Sequence, residues 1–444
     1  MKTKIILFIL SGFLTGIDLD AEASQNDDTR PNVVFLLSDD QGWTDYGFMG
    51  HPHIQTPHLD RLASQGILYE RGYVTAPLCR PSLASIATGL HPHQIGIRGN
   101  DPVGWAPYIR SGEFEAAATL RRQMTAPVSA YTTFIEVLQA NGYSTLQTGK
   151  WWEGNPLDHG FDRAMTHGDP MNDGRHGDKG LEIGRQTLEP IYNHINQAIA
   201  DHKPFFIWYG VYLPHFPHDA PARLFNKYKS VAPNEPTAWY WANCEWLDET
   251  VGEIVEFLKK TGVYENTIFV YTCDNGWRQN PEKRHFPDGS SKQEPTEMGI
   301  RTPIFMTHGG TIEPRRDSRT LASNIDIAPT ILKACGTEVP DVMSGLDLRD
   351  KKALQRRDRV FVDVYEHDMD LGRIEDIDHG LKARVVIDGW NKLIFAPNGV
   401  MLFDLESDND DRKNLAEDQP EKVSKLAKMM ERWLNATPVF DADR

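Results

Sequence analysis

Cys79 lies in the run Ala76-Pro77-Leu78-Cys79-Arg80-Pro81-Ser82-Leu83, with Thr88-Gly89 following. Pro81 suits the first turn of a helix, where its missing N–H has no partner to lose. A thiol at such a junction faces unpaired backbone N–H groups and the positive end of the helix dipole, so negative charge developing on it is stabilised. That is a setting for a nucleophile, although a lone cysteine is more often a small buried hydrophobe. Other reactive groups recur where apolar runs end. Asn32 to Leu37 leads into Ser38-Asp39-Asp40, and Tyr143 to Thr148 delivers Gly149-Lys150-Trp151. Pro204 to Leu213 ends in Pro214-His215-Phe216-Pro217, and Thr267 to Cys273 in Asp274-Asn275-Gly276. The Asp39-Asp40 pair offers the hard oxygen donors that a cation such as Ca²⁺ needs. Taken singly, each of these segments is also an ordinary turn.

The elements that must position these groups alternate in type. The apolar runs read as strands buried on both faces. Between them, Thr56 to Gly66 carries an N-cap, Pro57 at the first helical position and a closing glycine. Thr133 and Glu136 form a capping box for a helix reaching Asn141. Trp239 to Thr261 is predicted as a long amphipathic helix, with Trp246, Leu247, Val251, Ile254, Val255 and Leu258 facing inward. This alternation predicts an α/β fold with a mainly parallel central sheet flanked by helices. Polar groups gathered at strand exits would then converge on one edge of that sheet, where open α/β sheets bind ligands.

At 444 residues the chain calls for one large and one smaller domain. A net charge of −16 argues against nucleic-acid binding and leaves any anionic substrate dependent on local cations. Cys79, Cys244, Cys273 and Cys335 lack metal-like spacing, and one disulfide stays open. Lys2 and Lys4, the apolar run Ile5 to Leu14 and Ala21-Glu22-Ala23 read as an export signal over residues 1–23. No apolar run reaches the ~20 residues of a membrane span, so we expect an exported protein, periplasmic or secreted, with no transmembrane segment.

The ordered set Pro31 to Gly42, Thr56 to Gly66, Cys79 to Gly89, Gly149-Lys150-Trp151, His159 to Asp162, Pro214 to Pro217, Leu247 to Gly276, Lys292 to Pro303 and Asp326 to Ala334 resembles the sulfatase family. These are formylglycine-dependent enzymes on the alkaline-phosphatase-like fold. The tail Leu402 to Ala416 resembles the family's small C-terminal α+β domain. The resemblance implies a catalytic domain over 31–355 and a C-terminal domain over 356–435. It implies that Asp39, Asp40, Asp274 and Asn275 bind one divalent cation, with modified Cys79 as a further ligand. Cys79 would be converted to formylglycine by a maturation system, and its hydrate would be the nucleophile. Lys150 and Lys292 would hold sulfate oxygens, and His215 would bind sulfate and protonate the leaving alcohol.

Three positions depart from the family pattern. The modification motif Cys-x-Pro-x-Arg has Leu83 in place of arginine, with Arg80 as a candidate substitute. Lys-Trp-His is here Lys150-Trp151-Trp152, and indole cannot act as a base. His167 and His176 are candidate replacements, with His159 a weaker one. Met298 replaces a glycine in the Lys292 segment. Arg98, Arg110, Arg121, Arg122, Arg175 and Arg185 suggest a basic mouth for a sulfated or carboxylated glycan. Trp105, Trp151, Trp152 and Trp277 are candidates for stacking on sugar rings. The expected activity is hydrolysis of a sulfate ester on a carbohydrate or another small molecule. The alternatives are phosphate or phosphonate ester hydrolysis on the same scaffold, and an impaired homologue that binds sulfated glycans.

Overall fold

The computed structural model describes residues 29–167, 180–282, 291–357 and 359–440. The export signal expected over 1–23, Arg175 and His176 lie outside the described residues. Among the described residues, no helix is long and apolar enough to cross a membrane.

The expected strands are present: Asn32–Asp39, Ser144–Gly149, Phe205–Pro214 and Thr267–Cys273. They lie side by side and parallel, with Phe205–Pro214 between Ser144–Gly149 and Asn32–Asp39, and Thr267–Cys273 beyond it. Every residue of Asn32–Asp39, Phe205–Pro214 and Thr267–Cys273 is buried, which is why these runs are apolar without alternation. Arg301–His308 adds antiparallel to Thr267–Cys273 and pairs in turn with Ile67–Tyr73. The shared direction of the four parallel strands brings their exits, and the polar residues on them, to one edge.

Helices cover both faces. The helix Glu235–Lys260 starts a few residues earlier than expected, under an Asn234 cap, and buries Leu247, Val251, Ile254, Val255 and Leu258. Thr133 and Glu136 make the expected capping box. The helix bearing the nucleophile candidate, Cys79–Thr88, starts at Cys79 itself, and Pro81 is its third residue, in the first turn as expected. All ten of its residues are buried. The four cysteines are free and buried, so the open possibility of a disulfide is closed.

A four-stranded antiparallel sheet, Arg359–Tyr365, Leu381–Asp388, Asn391–Ala396 and Gly399–Asp404, forms the C-terminal domain with the helix Pro420–Ala436. Its Val360, Val362, Val364 and Ile394 share one apolar cluster with Tyr73, Val74 and Ile300 of the larger domain. Charged groups also cross this boundary. Lys392 Nζ lies 3.2 Å from Glu297 Oε1 and 2.8 Å from Asp411 Oδ2, all three side chains buried. His93 meets Asp363 at 2.8 Å, and Asp363 also holds Arg384.

Candidate active site

Strand exits build the floor of the site. Asp40, just beyond Asn32–Asp39, has a φ of 55°, an uncommon left-handed geometry that asparagine and aspartate tolerate best. The bend aims Asp39 and Asp40 at the same small volume as Asp274. Asp39, Cys79 and Asp274 bring ligand atoms within 4.8 Å of one another, as do Asp39, Asp40 and His215. Gly149 precedes Lys150 with φ 72°, and a Cβ there would stand 2.0 Å from the Gly210 carbonyl oxygen. Only glycine lets the chain turn there and send Lys150 inward.

Lys150 Nζ sits between two carboxylates, 2.6 Å from Asp39 Oδ1 and 2.7 Å from Asp274 Oδ2. Lys292 Nζ donates to both oxygens of Asp40 at 2.8 and 3.0 Å. Asn275 Nδ2 donates to Asp40 Oδ1 at 2.7 Å. His215 Nε2 faces Asp40 Oδ2 at 3.5 Å, while its Nδ1 lies 2.7 Å from the Phe216 carbonyl oxygen.

The titration behaviour follows from burial and these pairs. Burial pushes Asp274 up to about 6, with Asp39 adding to the rise and Lys150 opposing it. Burial also raises Asp39 above the usual carboxylate range. Asp40 is held down at about 2, because Lys292, His215 and Lys150 together override its burial. Lys150 stays protonated, since Asp274 and Asp39 more than offset the cost of burying it. His215 is brought down to about 3, chiefly by burial.

Burial pushes the Cys79 thiol up to about 12; Asp274 and Asp39 add to the shift, and Lys150 and Lys292 oppose it. The helix N-terminus therefore does not make Cys79 a thiolate near neutral pH. Its surroundings suit an oxygen nucleophile near a cation better than a free thiol.

The donor set fits a divalent cation. Asp39 Oδ2 and Asn275 Oδ1 are both buried with no donor among the described residues. Buried oxygen atoms left without donors cost free energy unless an ion or water meets them. Asp39, Asp40, Asp274 and Asn275 offer the hard oxygens that Ca²⁺ or Mg²⁺ prefers.

Several sequence expectations are redirected. Arg80, the candidate substitute for the motif arginine and a candidate for substrate binding, is fully buried and pairs with Glu153 at 2.6 Å and with the Met124 carbonyl oxygen. Its backbone N–H donates to Asn100 Oδ1. It thus ties the helix that bears Cys79 to the loop after Lys150. Leu83 packs in the same apolar cluster as Cys79, Trp151 and Trp152. The Trp152 ring lies 6.0 Å from Lys150 Nζ and 5.3 Å from the Arg121 guanidinium. His167 is exposed, and His159 is nearly buried beside Trp151.

Of the arginines expected at a basic mouth, Arg110 and Arg122 are exposed, Arg175 lies outside the described residues, and Arg98, Arg121 and Arg185 are engaged by protein groups. Arg98 donates to the carbonyls of Arg373 and Ile374, and Arg121 to those of Asn100 and Trp152. Arg185 bonds the carbonyls of Tyr212, His215 and Pro217 and pairs with Asp219. Its role is to hold the His215 loop. Trp105, Trp151, Trp152 and Trp277 are all buried, which leaves no exposed ring among them for a sugar.

Sequence reasoning did not single out Asn243, Glu153 or Glu297 as positioning groups. Asn243 Nδ2 donates to the Pro217 carbonyl and so braces the His215 loop from the long helix. Glu297 accepts from Tyr73 and pairs with Lys392, which anchors the segment that presents Lys292. Met298 is tolerated because the tight position is the next one: a Cβ on Gly299 would stand 2.3 Å from the Glu294 carbonyl oxygen. The partners of Glu153 and Glu297 lie far away in the chain, at Arg80 and Lys392, so local spacing carries no signal for them.

Such a sheet, with carboxylates, lysines and a buried helix-borne cysteine at its exit edge, is the architecture of one enzyme class. The Sulfatase family profile matches residues 31–337, and the profile described as N-sulphoglucosamine sulphohydrolase, C-terminal, matches 292–438. The chain belongs to the sulfatase family. It is 29% identical over 358 residues to N-acetylgalactosamine-6-sulfatase of Sus scrofa, covering 72% of this chain and 65% of that one. It is 25% identical over 362 residues to an ulvan-active sulfatase of Formosa agariphila, covering 73% and 65%. The chain thus spans just under two thirds of the length of these curated relatives. Among solved structures, yidJ of Bacteroides fragilis superposes with a TM-score of 0.72 at 22% identity, covering 94% of this chain and 98% of that chain. Ps i-CgsB, solved with a neocarrahexaose, gives 0.72 at 21% identity, covering 93% and 96%. At these identities the structural likeness establishes the fold.

Proposed function

We propose that this chain hydrolyses a sulfate ester carried on a carbohydrate, with an oxidised Cys79 as the nucleophile. The observation that carries this reading is the buried cluster of Asp39, Asp40, Asp274 and Asn275 beside Cys79, crossed by Lys150 and Lys292. The relatives named for carbohydrate substrates support the substrate class.

Asp39, Asp40, Asp274 and Asn275 would hold one divalent cation, Ca²⁺ in our reading, with the modified Cys79 side chain as a further ligand. When bound, that cation lowers the pKa of the nucleophilic hydroxyl and neutralises charge on the transferring group. Formylglycine supplies an oxygen nucleophile where the thiol, raised to about 12, is protonated at neutral pH. The reading therefore requires a formylglycine-generating maturation system.

The chain's own residues supply the rest. Lys150 and Lys292 are held at the site by carboxylates and would present cationic ammonium groups to sulfate oxygens. His215 is neutral when substrate is absent, and negative sulfate oxygens against its ring raise its pKa, favouring the proton that the leaving alcohol needs. Arg185 and Asn243 keep that ring in place through the carbonyls of its loop. We further propose the division into a catalytic domain over 31–355 and a C-terminal domain over 356–435, and export to the periplasm or beyond.

One observation favours a second reading, an impaired homologue that binds sulfated glycans. Leu83 and Trp152 replace an arginine and a histidine of the family pattern and pack in one apolar cluster with Cys79. Mass spectrometry of the Cys79 peptide from natively expressed protein, combined with sulfate release from N-acetylgalactosamine 6-sulfate and from an aryl sulfate, separates the two. An aldehyde mass with turnover is expected. An unaltered thiol with glycan binding and no turnover would establish the second reading. Faster release of phosphate than of sulfate from matched esters would move the activity to the phosphate side.

A further inference from the structure

Lys292 reaches Asp40 from a segment whose anchors lie elsewhere in the chain. Gln293, the next residue, has a φ of 62°, a left-handed geometry that costs a residue other than glycine unless its neighbours hold it. Its N–H donates to the carbonyl of Pro77, close before Cys79, at 2.8 Å. Ser291 Oγ donates to the Met298 carbonyl at 2.6 Å, and the Glu294 N–H to the Ser291 carbonyl at 3.1 Å. The segment is thus folded onto the single turn Glu297–Ile300. That turn also packs on the candidate cation loop: the Gly276 N–H, next to Asn275, donates to the Gly299 carbonyl at 2.9 Å. A Cβ on Gly276 would stand 2.1 Å from the Met298 carbonyl oxygen, so the two backbones touch.

A helix start leaves N–H groups that need acceptors from outside the helix. Thr296 stands at the N-cap position but makes no capping bond with its side chain among the described residues; its hydroxyl turns to Glu294 Oε2 instead. The acceptor comes from the C-terminal domain, where Asp411 Oδ2 takes the Glu297 N–H at 2.6 Å. The same oxygen meets Lys392 Nζ at 2.8 Å, and Lys392 also pairs with Glu297 Oε1. Arg301 lies 3.6 Å from Glu297 Oε2, so two buried cations balance two buried carboxylates. Asp411 itself holds a left-handed φ of 54°.

We infer that Asp411 is a positioning residue for the reaction centre: from the C-terminal domain it caps the turn that sets Lys292 and abuts Asn275. This role rests on the sulfate-ester reading, in which Lys292 holds sulfate oxygens. Through Asp411 the C-terminal domain helps to fix where the Lys292 ammonium group stands relative to Asp40.

A double-mutant cycle on the full chain tests it. Asp411→Gly removes the carboxylate and suits the left-handed backbone, so the cap is lost without added strain. On a sulfate ester that the wild type turns over, kcat/KM should fall about tenfold in Asp411→Gly, while Asp411→Asn, which keeps a capping oxygen, should stay within about threefold of the wild type. In a Lys292→Ala background the loss from Asp411→Gly should shrink to about twofold or less, because residues that act through one another are not additive. A general weakening of the fold would instead lower activity equally in both backgrounds. Hydrogen exchange in peptides covering 291–300 should be faster in Asp411→Gly than in the wild type. Thermal melts check that each variant is folded, and Asp411→Ser, whose oxygen is one bond too short to reach, takes the place of Asp411→Gly if it is not. Wild-type kcat/KM in Asp411→Gly, equal losses in the two backgrounds, or unchanged exchange overturns the role. Absence of wild-type turnover on every sulfate ester overturns the activity reading instead, and exchange over 291–300 then decides the role alone, as it does if Lys292→Ala has no measurable rate.

Discussion

Lys150→Met tests how the carboxylate cluster is held together. The ammonium group lies 2.6 Å from Asp39 Oδ1 and 2.7 Å from Asp274 Oδ2, with all three side chains at or below 2% exposure. At an effective dielectric constant near 20, each contact contributes about 6 kcal/mol of Coulomb attraction. Desolvating the ions costs several kcal/mol each, so much of that attraction is offset. Deleting one partner leaves the opposing carboxylates buried without their cation, and such deletions cost about 3–5 kcal/mol. Methionine keeps most of the volume, so a cavity adds little. Urea unfolding in chelator should show that loss. Added Ca²⁺ should recover more stability in the variant than in the wild type, because the vacated place suits a cation between Asp39 and Asp274. The recovery should approach about 2.7 kcal/mol at a hundredfold excess over Kd. A variant within about 0.5 kcal/mol of the wild type in chelator, with no gain from Ca²⁺, would refute the reasoning.

Four further outcomes are expected. Thiol titration of denatured, fully matured protein should count three cysteines, since Cys79 of the four would no longer be a thiol; a count of four would show that conversion had not occurred. Asp363 is buried, which alone would raise its pKa, but His93 and Arg384 hold it below the ordinary carboxylate range. Its stabilising contribution is thus complete above the unfolded pKa near 4 and is lost as pH falls through the lower folded value. Asp363→Asn should therefore lower Tm at neutral pH and flatten its acid limb; an unchanged limb would exclude this pair as a lock between the domains. Leu83→Arg should raise the fraction of Cys79 converted in a host with the maturation system, and cost about 1–3 kcal/mol through overpacking at a buried site; peptide mass spectrometry and a urea melt read both. Trp152→His should speed turnover of an aryl sulfate if a base is what the site lacks, and an unchanged kcat would place that base elsewhere.

Local chemistry determined a good part of this protein. Buried strands announce themselves as apolar runs such as Asn32–Asp39 and Thr267–Cys273, and the Thr133–Glu136 capping box is made by residues three apart. Because parallel strands share a direction, the sequence alone could also gather Asp39, Lys150, His215 and Asp274 at one edge. It could not say what each charge meets there. Arg98, Arg121 and Arg185 read as part of a basic mouth, yet each is spent on a carbonyl or carboxylate elsewhere in the chain. The same limit applied to Cys79. Its helix N-terminus was legible and favours negative charge, but the burial that outweighs it comes from packing against distant residues. Local spacing sets which elements form and where their ends point. Desolvation and ion pairing depend on everything packed around a group, and those the tertiary structure decided.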